Sequence, residues 1–286
     1  MRVLAFGATG QVARELARSA AARGIALTAL GRDAADLADA QACAAAILAS
    51  DADAVINAAA HTAVDRAEGE PDLARAINAE APGAMARAAA ARGVPFLHVS
   101  TDYVFDGRPG RPWREDDVPA PLSTYGATKL AGERAVAEAG GRAAILRTAW
   151  VFSAHGSNFV KTMLRLGAER SHLRIVDDQR GGPTPAADIA AALLTMAEAL
   201  AAGRGAPGIF HFAGAPTVSW ADFAEAIFAA RGGPAPSVER IPSSAYPVPA
   251  ERPKNSVLDC TRIAEVYGVG QPDWRPRLLE VIGELT

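Results

Sequence analysis

Tyr125 and Lys129 are the residues whose types and spacing most directly indicate chemistry. A spacing of four places both side chains on one face of a helix, one turn apart. A phenol, with a reference pKa of ~10, is a poor acid or base near neutrality. A neighbouring ammonium stabilises the phenolate and is expected to bring that pKa toward the working range. The pair therefore predicts acid–base catalysis by Tyr125 with support from Lys129; the alternative is an exposed helical pair.

Lysine is otherwise rare in this chain. Of the 29 basic residues only Lys129, Lys161 and Lys254 are lysines. Where arginine is used almost everywhere else, each lysine is a candidate for a task that arginine cannot perform.

Thr101 and Asp102 directly follow an apolar stretch, residues 96–100. In a doubly wound sheet the ligand crevice lies at the carboxyl ends of the strands. Thr101 is therefore expected to donate a hydrogen bond to a carbonyl that is being reduced, beside Tyr125; capping of a turn is the alternative. His98, in the middle of the stretch, is interpreted as a core histidine with satisfied hydrogen bonds.

The segment Gly7-Ala8-Thr9-Gly10-Gln11-Val12-Ala13 follows the first apolar stretch and opens a predicted helix. Small residues let the backbone turn tightly and approach a pyrophosphate, whose charge the free N–H groups of the helix start can bind. An ordinary turn is the alternative, but the position between strand and helix favours a dinucleotide site. Gly7, Gly10, Gln11 and Val12 are predicted to bind the cofactor.

The end of the second predicted strand, Leu30-Gly31-Arg32, indicates which cofactor is used. An acidic residue here normally holds the ribose hydroxyls of NAD. Gly31 removes that carboxylate and Arg32 offers a cation to a 2′-phosphate, so NADPH is predicted, with NADH also accepted. The alternative for Arg32 is a solvated surface arginine.

Small residues after the third predicted strand leave room for the cofactor to lie across the strand ends. Ala60, His61 and Thr62 are predicted to contact it. His61, the first bulky side chain there, either reaches the ligand or has a structural role.

A Rossmann-type α/β fold would bring these residues together. Short apolar runs alternate with alanine-rich helical stretches in the first half of the chain, a pattern typical of a doubly wound parallel sheet. Its strands are flanked by helices on both faces and should be continuously apolar. Strands are predicted at residues 3–6, 26–30, 54–58, 96–100 and 143–147, and helices at 12–23, 40–49, 71–91 (interrupted near Pro82) and 123–138.

The regular alternation ends after Val151. Glycine and proline punctuate residues 181–183, 231–236 and 241–253, and helices are predicted at 188–202 and 221–231. Residues 1–149 are therefore expected to form the dinucleotide-binding domain. Residues 150–286 are expected to form mainly a smaller substrate-binding lobe, with some segments returning to the sheet.

The composition excludes several classes of protein. The chain has 286 residues, 50% of them hydrophobic, which is enough for a large core. Its net charge of -3 gives no reason to expect a basic surface for nucleic acid. No apolar run reaches the ~20 residues of a membrane span and the start has no signal-peptide layout, so a cytoplasmic protein is expected. Cys43 and Cys260 belong to no metal-binding or redox motif and are expected to be buried or half-buried free thiols.

The motifs together identify a family resemblance. The chain resembles the dTDP-4-dehydrorhamnose reductases, which are extended short-chain dehydrogenases/reductases. The matching segments are residues 7–12, 56–65, 100–105, 125–133, 147–152, 158–164 and 252–256. The glycine and Tyr/Lys motifs are shared by the superfamily, whereas the Ala-Val-Asp, Thr-Asp-Tyr and Arg-Thr-Ala-Trp segments are narrower.

The resemblance implies an activity: reduction of the C4 ketone of dTDP-4-dehydro-β-L-rhamnose to dTDP-β-L-rhamnose. It implies that Tyr125 donates the proton, that Thr101 tunes the carbonyl and that Lys129 supports Tyr125 and the cofactor. Thr101, Asp102 and Trp150 would contact the sugar nucleotide, with core packing as the alternative for Trp150. Asp36 and Leu37 lie where related enzymes cover the adenine.

The chain also departs from the family pattern. Ala13 replaces a usual glycine, and Gly31-Arg32 replaces an acidic strand end. Glu15 matches one acidic residue of a metal site that some members have at a dimer contact, but it lacks convincing partners, so no metal is predicted. The oligomeric state stays open, with a homodimer as one form.

Three other functions compete with this interpretation, besides reduction of another nucleotide sugar at C4. A 4,6-dehydratase needs an Asp-Glu pair after the threonine to eliminate water, but Tyr103 follows Asp102 here. A 4-epimerase usually carries a longer glycine loop. A nucleotide-binding regulatory subunit, like one of methionine adenosyltransferase, would not require Thr101, Tyr125 and Lys129.

Overall fold

The computed structural model describes residues 1–108 and 110–285. Its strands are β1 (Arg2–Phe6), β2 (Ala26–Leu30), β3 (Ala54–Asn57), β4 (Phe96–Thr101), β5 (Ala143–Thr148), β6 (Val151–Phe152), β7 (His172–Val176), β8 (Arg180–Gly181), β9 (Thr184–Pro185), β10 (Gly208–His211), β11 (Val218–Ser219), β12 (Ser237–Ile241) and β13 (Asn255–Ser256).

The helices are α1 (Gln11–Ala22), α2 (Ala40–Ala49), α3 (Val64–Gly69), α4 (Pro71–Arg75), α5 (Ala81–Ala91), α6 (Thr124–Glu138), α7 (Phe159–Glu169), α8 (Ala186–Ala201), α9 (Trp220–Arg231), α10 (Thr261–Tyr267) and α11 (Trp274–Leu285). A π-helical turn covers Ala76–Glu80, and 3-10 turns cover Asp102–Val104 and Ser243–Ala245.

A six-stranded parallel sheet in the order β10-β5-β4-β3-β1-β2 forms the centre of the fold, which confirms the Rossmann-type prediction. Successive side chains of a strand face opposite sides. Leu97 therefore packs with Leu16 of α1 and Leu193 of α8 on one side of the sheet, and Phe96 packs with Met85 of α5 on the other. Apolar layers on both sides explain why these strands are almost continuously apolar.

The predicted helix over residues 71–91 is divided by the π-helical turn that precedes Pro82. Proline has no N–H, so Pro82 cannot donate to the carbonyl of Asn78 one turn earlier, and the helix widens there. A Cβ at Gly132 of α6 would collide with that carbonyl. The glycine thus lets α6 pack closely against the interruption.

The second half of the chain contributes both to the sheet and to a separate core. β10 pairs with β5 at the sheet edge. A further apolar cluster contains Phe152, Phe223 and Trp274, beside the parallel pair β7 and β12. Cys43 and Cys260 are free and buried, as predicted. Within the described ranges, no helix is long and apolar enough to span a membrane.

Candidate active site

The predicted catalytic residues meet at the carboxyl ends of β4 and β5, beneath the start of α6. Thr101 ends β4 in register with Thr148 of β5. Ser123 caps α6 by accepting the N–H of Gly126 over 3.2 Å, which places Tyr125 in the first turn. A Cβ at Gly126 would collide with the carbonyl of Tyr103, so glycine permits the close approach of helix and strand end.

Tyr125 is buried and lies close enough to Thr101 for the Thr101 hydroxyl to affect its pKa, so the structure brings together these two predicted residues. Burial raises the pKa of Tyr125 to about 12; the Thr101 hydroxyl opposes this and the charge of Asp102 adds to it. The expectation of a lowered phenol pKa is therefore wrong. The reason is that desolvation dominates and that Lys129 Nζ is bonded to His98 and to the carbonyl of Val99.

Lys129 is almost fully buried (1% exposed) and points at β4. Its Nζ lies 2.7 Å from the carbonyl oxygen of Val99 and 3.1 Å from His98 Nε2. Burial lowers the pKa of Lys129 to about 8, although Glu133 one turn further along α6 opposes this. Lys129 is thus poised to gain or lose a proton near neutral pH.

His98 is a buried histidine with both ring nitrogens bonded, as predicted. Besides Lys129 it contacts Asn57 Nδ2, 3.2 Å from His98 Nδ1. Burial and the charge of Lys129 hold the pKa of His98 well below its usual range, so the ring is neutral.

Asp102 lies directly beyond Thr101 and is 2% exposed. Its Oδ1 accepts a hydrogen bond from Thr101 Oγ1 over 3.2 Å. Burial raises the pKa of Asp102 to about 6 against the effects of the Ser256 and Thr101 hydroxyls.

Buried side-chain atoms without a hydrogen-bond partner are concentrated at this edge of the sheet. Among the described residues they are His61 Nδ1, Asp102 Oδ2 and Thr148 Oγ1, which follow or end β3, β4 and β5. Buried polar atoms are rarely left unpaired without a functional reason. The edge therefore has spare hydrogen-bonding capacity for a ligand.

Glu133 and Arg147 form a buried ion pair beneath the catalytic residues. Sequence reasoning missed this pair. Arg147 Nε and Nη2 lie 2.9 and 2.6 Å from the two carboxylate oxygens, and Ser100 Oγ donates to Glu133 over 2.6 Å. The signal was available: Glu133 follows Lys129 by four residues, and Ser100 shares the sheet face of His98. Asn78, which binds Thr128 and the backbone of His61, was missed as well.

The glycine turn has the shape that a pyrophosphate site needs. Gly7 has φ of 101°, and a Cβ there would press on Ala59 at 3.1 Å. Gly10 precedes α1 with open space around it, and within the described chain no side chain caps this helix start. Val12 is buried. Gln11 Oε1 accepts hydrogen bonds from Ser153 and Asn158 and so joins the turn to the second half of the chain.

The end of β2 presents Arg32 to solvent. A Cβ at Gly31 would lie 3.7 Å from the Cβ of Ala8 in the glycine turn. Arg32 is exposed and has no ion-pair or hydrogen-bond partner among residues 1–108 and 110–285. Asp36 Oδ1 accepts the N–H of Ala38 over 3.0 Å, and Leu37 is buried.

The segment after β3 is fixed mainly by Asn78. Its amide oxygen accepts the N–H of His61 over 2.8 Å, and His61 Nε2 lies 3.4 Å from Glu70. Ala60 is partly buried and Thr62 is exposed. The contacts give His61 a structural anchor while its Nδ1 stays unpaired.

Trp150 occupies a strained position after β5. It has φ of 48°, a left-handed conformation that bulky residues rarely adopt. Its ring stacks on Trp220 with centroids 3.5 Å apart, and a Cβ at Gly181 would collide with it. Packing therefore holds one face of the indole in place.

The remaining residues that the sequence singled out lie elsewhere. Lys161 Nζ donates to the carbonyl of Ala154 over 3.1 Å, and Lys254 pairs with Asp178 at 3.3 Å. Glu15 contacts His155 at 3.1 Å. Among the residues described, no cluster of three or more His, Cys, Asp or Glu side chains could hold a metal. A depression of about 570 Å³ lies at the opposite, amino edge of the sheet, lined by Arg2, Asp53 and Arg142 among others.

Comparison with known proteins gives a consistent family. The family model described as the RmlD substrate binding domain matches residues 1–286. A dTDP-4-dehydrorhamnose reductase of Burkholderia thailandensis is 48% identical over 96% of both chains. The solved dTDP-4-dehydrorhamnose reductase of Clostridium acetobutylicum has a TM-score of 0.92 and 36% identity, covering 100% of this chain and 99% of its own. That of Bacillus anthracis, in complex with NADP, has a TM-score of 0.91 and 32% identity over 99% of both.

Proposed function

The chain belongs to the dTDP-4-dehydrorhamnose reductase family, and we propose that it uses NADPH to reduce the C4 ketone of dTDP-4-dehydro-β-L-rhamnose to dTDP-β-L-rhamnose. The observation that carries the proposal is the meeting of Thr101, Tyr125 and Lys129 at the carboxyl edge of the sheet. An enzyme of this kind needs a proton donor beside the ketone and a surface for the cofactor, and this edge offers both.

The residues of the glycine turn and of the β2 end fit a dinucleotide phosphate. Gly7 and Gly10 leave the backbone accessible, and the uncapped start of α1 suits a pyrophosphate. Arg32 is unpaired within the described chain and free to contact a 2′-phosphate. Gln11, Val12, Gly31, Asp36, Leu37, Ala60, His61 and Thr62 complete the proposed cofactor surface, with Tyr125 and Lys129 at its nicotinamide end.

Tyr125 acts as the proton donor. Because burial raises its pKa to about 12, the phenol keeps its proton at neutral pH and can give it to the ketone oxygen. Thr101, beside Tyr125, holds the carbonyl in place. NADPH, when bound, supplies the hydride. Lys129 holds the nicotinamide ribose and stabilises the phenolate that proton transfer leaves behind.

Asp102 and Trp150 are assigned to the sugar nucleotide, and residues 150–286 mainly to the substrate-binding lobe. The unpaired Oδ2 of Asp102 can accept a sugar hydroxyl. The indole of Trp150, held by Trp220, offers a rigid apolar surface to a sugar or base. A cytoplasmic location and a homodimer stay predictions.

The deciding experiment gives the purified chain the dTDP-4-keto sugar with NADPH or NADH and follows nicotinamide oxidation, with the product identified by NMR. We expect dTDP-β-L-rhamnose with both cofactors. Cofactor binding without oxidation would instead indicate a regulatory subunit.

A parallel incubation with dTDP-glucose tests the dehydratase alternative. Tyr103 stands where a dehydratase needs a second carboxylate, and its ring packs edge-on against Tyr125 at 5.4 Å. We expect no 4-keto-6-deoxy product by mass spectrometry; its appearance would favour the dehydratase.

A further inference from the structure

His98 joins Asn57 to Lys129 through a chain of buried hydrogen bonds. Asn57 and His98 are register partners on β3 and β4, and both are 0% exposed. Asn57 Nδ2 lies 3.2 Å from His98 Nδ1, and His98 Nε2 lies 3.1 Å from Lys129 Nζ. Only the last of the three residues has a role in the reaction as described so far.

The direction of these hydrogen bonds follows from the backbone at one end. The N–H of Ala59 donates to Asn57 Oδ1 over 3.1 Å, so the NH₂ of the carboxamide faces His98. An amide NH₂ can only donate, and His98 Nδ1 must therefore accept and carry no proton. Burial, the main cause of its lowered pKa, keeps the ring neutral, so its single proton lies on Nε2.

The protonated Nε2 then determines what Lys129 can be. An N–H can only donate, and Nζ can accept only as an uncharged amine, since an ammonium has no lone pair. The amine still donates to the carbonyl of Val99. All the hydrogen bonds from Asn57 through His98 to Lys129 are thus satisfied together when Lys129 is uncharged, and burial favours the same form.

We propose that His98 is a positioning residue: held in its Nε2–H tautomer by Asn57, it favours the uncharged amine of Lys129 and so sets the pH above which Lys129 loses the positive charge that stabilises the Tyr125 phenolate. The effect on the pH dependence of turnover rests on the proposed ketone reduction, whereas the tautomer of His98 does not depend on that function.

Protonation of Lys129 disturbs the whole series of hydrogen bonds from Asn57 to Lys129. An ammonium would donate to His98 Nε2, and the ring proton would move to Nδ1, opposite the NH₂ of Asn57. Two donors cannot bond to each other, so either that bond is lost or Asn57 turns over and releases Ala59. The charge of Glu133 on α6 favours the ammonium of Lys129, and Glu133 is itself paired with Arg147 on β5. Tyr125 lies one turn before Lys129 on the same helix.

The tautomer is measured directly by two-bond ¹H–¹⁵N NMR on the whole protein with ¹⁵N-labelled histidine. The chain has five histidines, and His98→Phe identifies the signals of His98. We expect the proton on Nε2 in the unsubstituted chain. A proton on Nδ1 there would overturn the proposal, whether or not any variant folds.

Asn57→Asp reverses the arrangement without changing the shape of the side chain. A carboxylate still accepts the N–H of Ala59 but can only accept from His98, which moves the ring proton to Nδ1 and leaves Nε2 to bind an ammonium. With ¹³Cε-labelled lysine, we expect the titration midpoint of Lys129 to rise by about one pH unit or more, the scale of one buried hydrogen bond. The pH profile of kcat should move in the same direction.

The added charge of Asn57→Asp raises the Lys129 midpoint by itself, so the substitution is repeated in the His98→Phe background. We expect the rise to be clearly smaller there; an equal rise in both backgrounds would overturn the role of His98. Neither spectrum depends on turnover, and a failure to reduce the keto sugar would contradict the proposed function alone.

Discussion

The carboxyl edge of the sheet and the polar network beneath it are both buried, yet they are built in opposite ways. In the lower network Glu133, Arg147 and Ser100 satisfy one another at 2.6–2.9 Å. At the edge, Asp102 and Thr148 each keep an atom unpaired among the described residues. The paired network fixes α6 on the sheet, and the unpaired edge retains polar groups that can bind a ligand. The contrast indicates that stability and function are assigned to adjacent layers.

The largest effect is expected at the edge itself. Tyr125→Phe removes the proton donor and should lower kcat roughly 10²–10⁴-fold, the usual contribution of a positioned acid, with cofactor binding nearly intact. Steady-state kinetics and cofactor titration measure both. Tyr246→Phe, at an exposed tyrosine (59% exposed), is the matched control and should change neither. Near-native turnover of Tyr125→Phe would refute the proposed mechanism.

In the lower network the loss should be of stability. Arg147→Met leaves Glu133 as a buried carboxylate without its cation, and we expect the free energy of unfolding to fall by about 3–5 kcal/mol. Denaturant unfolding measures it. Adding Glu133→Gln removes the stranded charge and should recover part of the loss; a single variant within about 1 kcal/mol of the parent would show that the pair is not structural.

Asp102→Asn should raise the free energy of unfolding, whereas Arg147→Met should lower it. The folded-state pKa of Asp102, about 6, lies above the reference value of 3.8, so the folded protein favours the neutral carboxylic acid. This preference contributes stability that is complete below pH 3.8 and is lost as the pH rises through 6. An amide never ionises. The variant should therefore gain stability relative to the parent from pH 4 to pH 8, by roughly 2–3 kcal/mol, with activity reduced.

Asp117→Asn is the control for this pH dependence. Arg111 lowers the pKa of Asp117 to about 2, so its carboxylate contributes stability above pH 3.8 that is lost as the pH falls through 2. Its amide variant should already be less stable than the parent at pH 4, and the difference should stay nearly constant from pH 4 to pH 8. Parallel stability curves for the parent and Asp102→Asn would contradict the assignment of a destabilised carboxylate to the edge.

The smallest effect concerns the exposed end of β2. Gly31 supplies no carboxylate to repel a 2′-phosphate, and Arg32 can add a charge-assisted contact worth about tenfold in affinity, less where solvent screens it. Arg32→Ala should weaken NADPH binding and leave NADH binding unchanged, and the unsubstituted chain should prefer NADPH. Arg204→Ala, at another exposed arginine, is the control. Equal losses for both cofactors would mean that Arg32 does not read the phosphate.

The sequence by itself determined the fold, the family and the grouping of Thr101, Tyr125 and Lys129. Alternation of apolar strands and helices is a local property, and in a parallel sheet it forces the carboxyl ends of the strands to one edge. The spacing of four between Tyr125 and Lys129 is likewise fixed by helix geometry. These features needed no knowledge of long-range contacts.

Only the tertiary structure decided the electrostatics. Whether the amino group of Lys129 meets Tyr125 or His98 depends on how α6 packs beside the end of β4, and Gly126 permits the close approach there. The direction of the Tyr125 pKa, predicted wrongly, follows from burial that no local pattern reveals. The link from Asn57 through His98 depends on the register of β3 and β4, and the Glu133–Arg147 pair on the placement of β5 beside β4. Charges respond to every neighbour in space, whereas secondary structure follows mainly from neighbours in sequence.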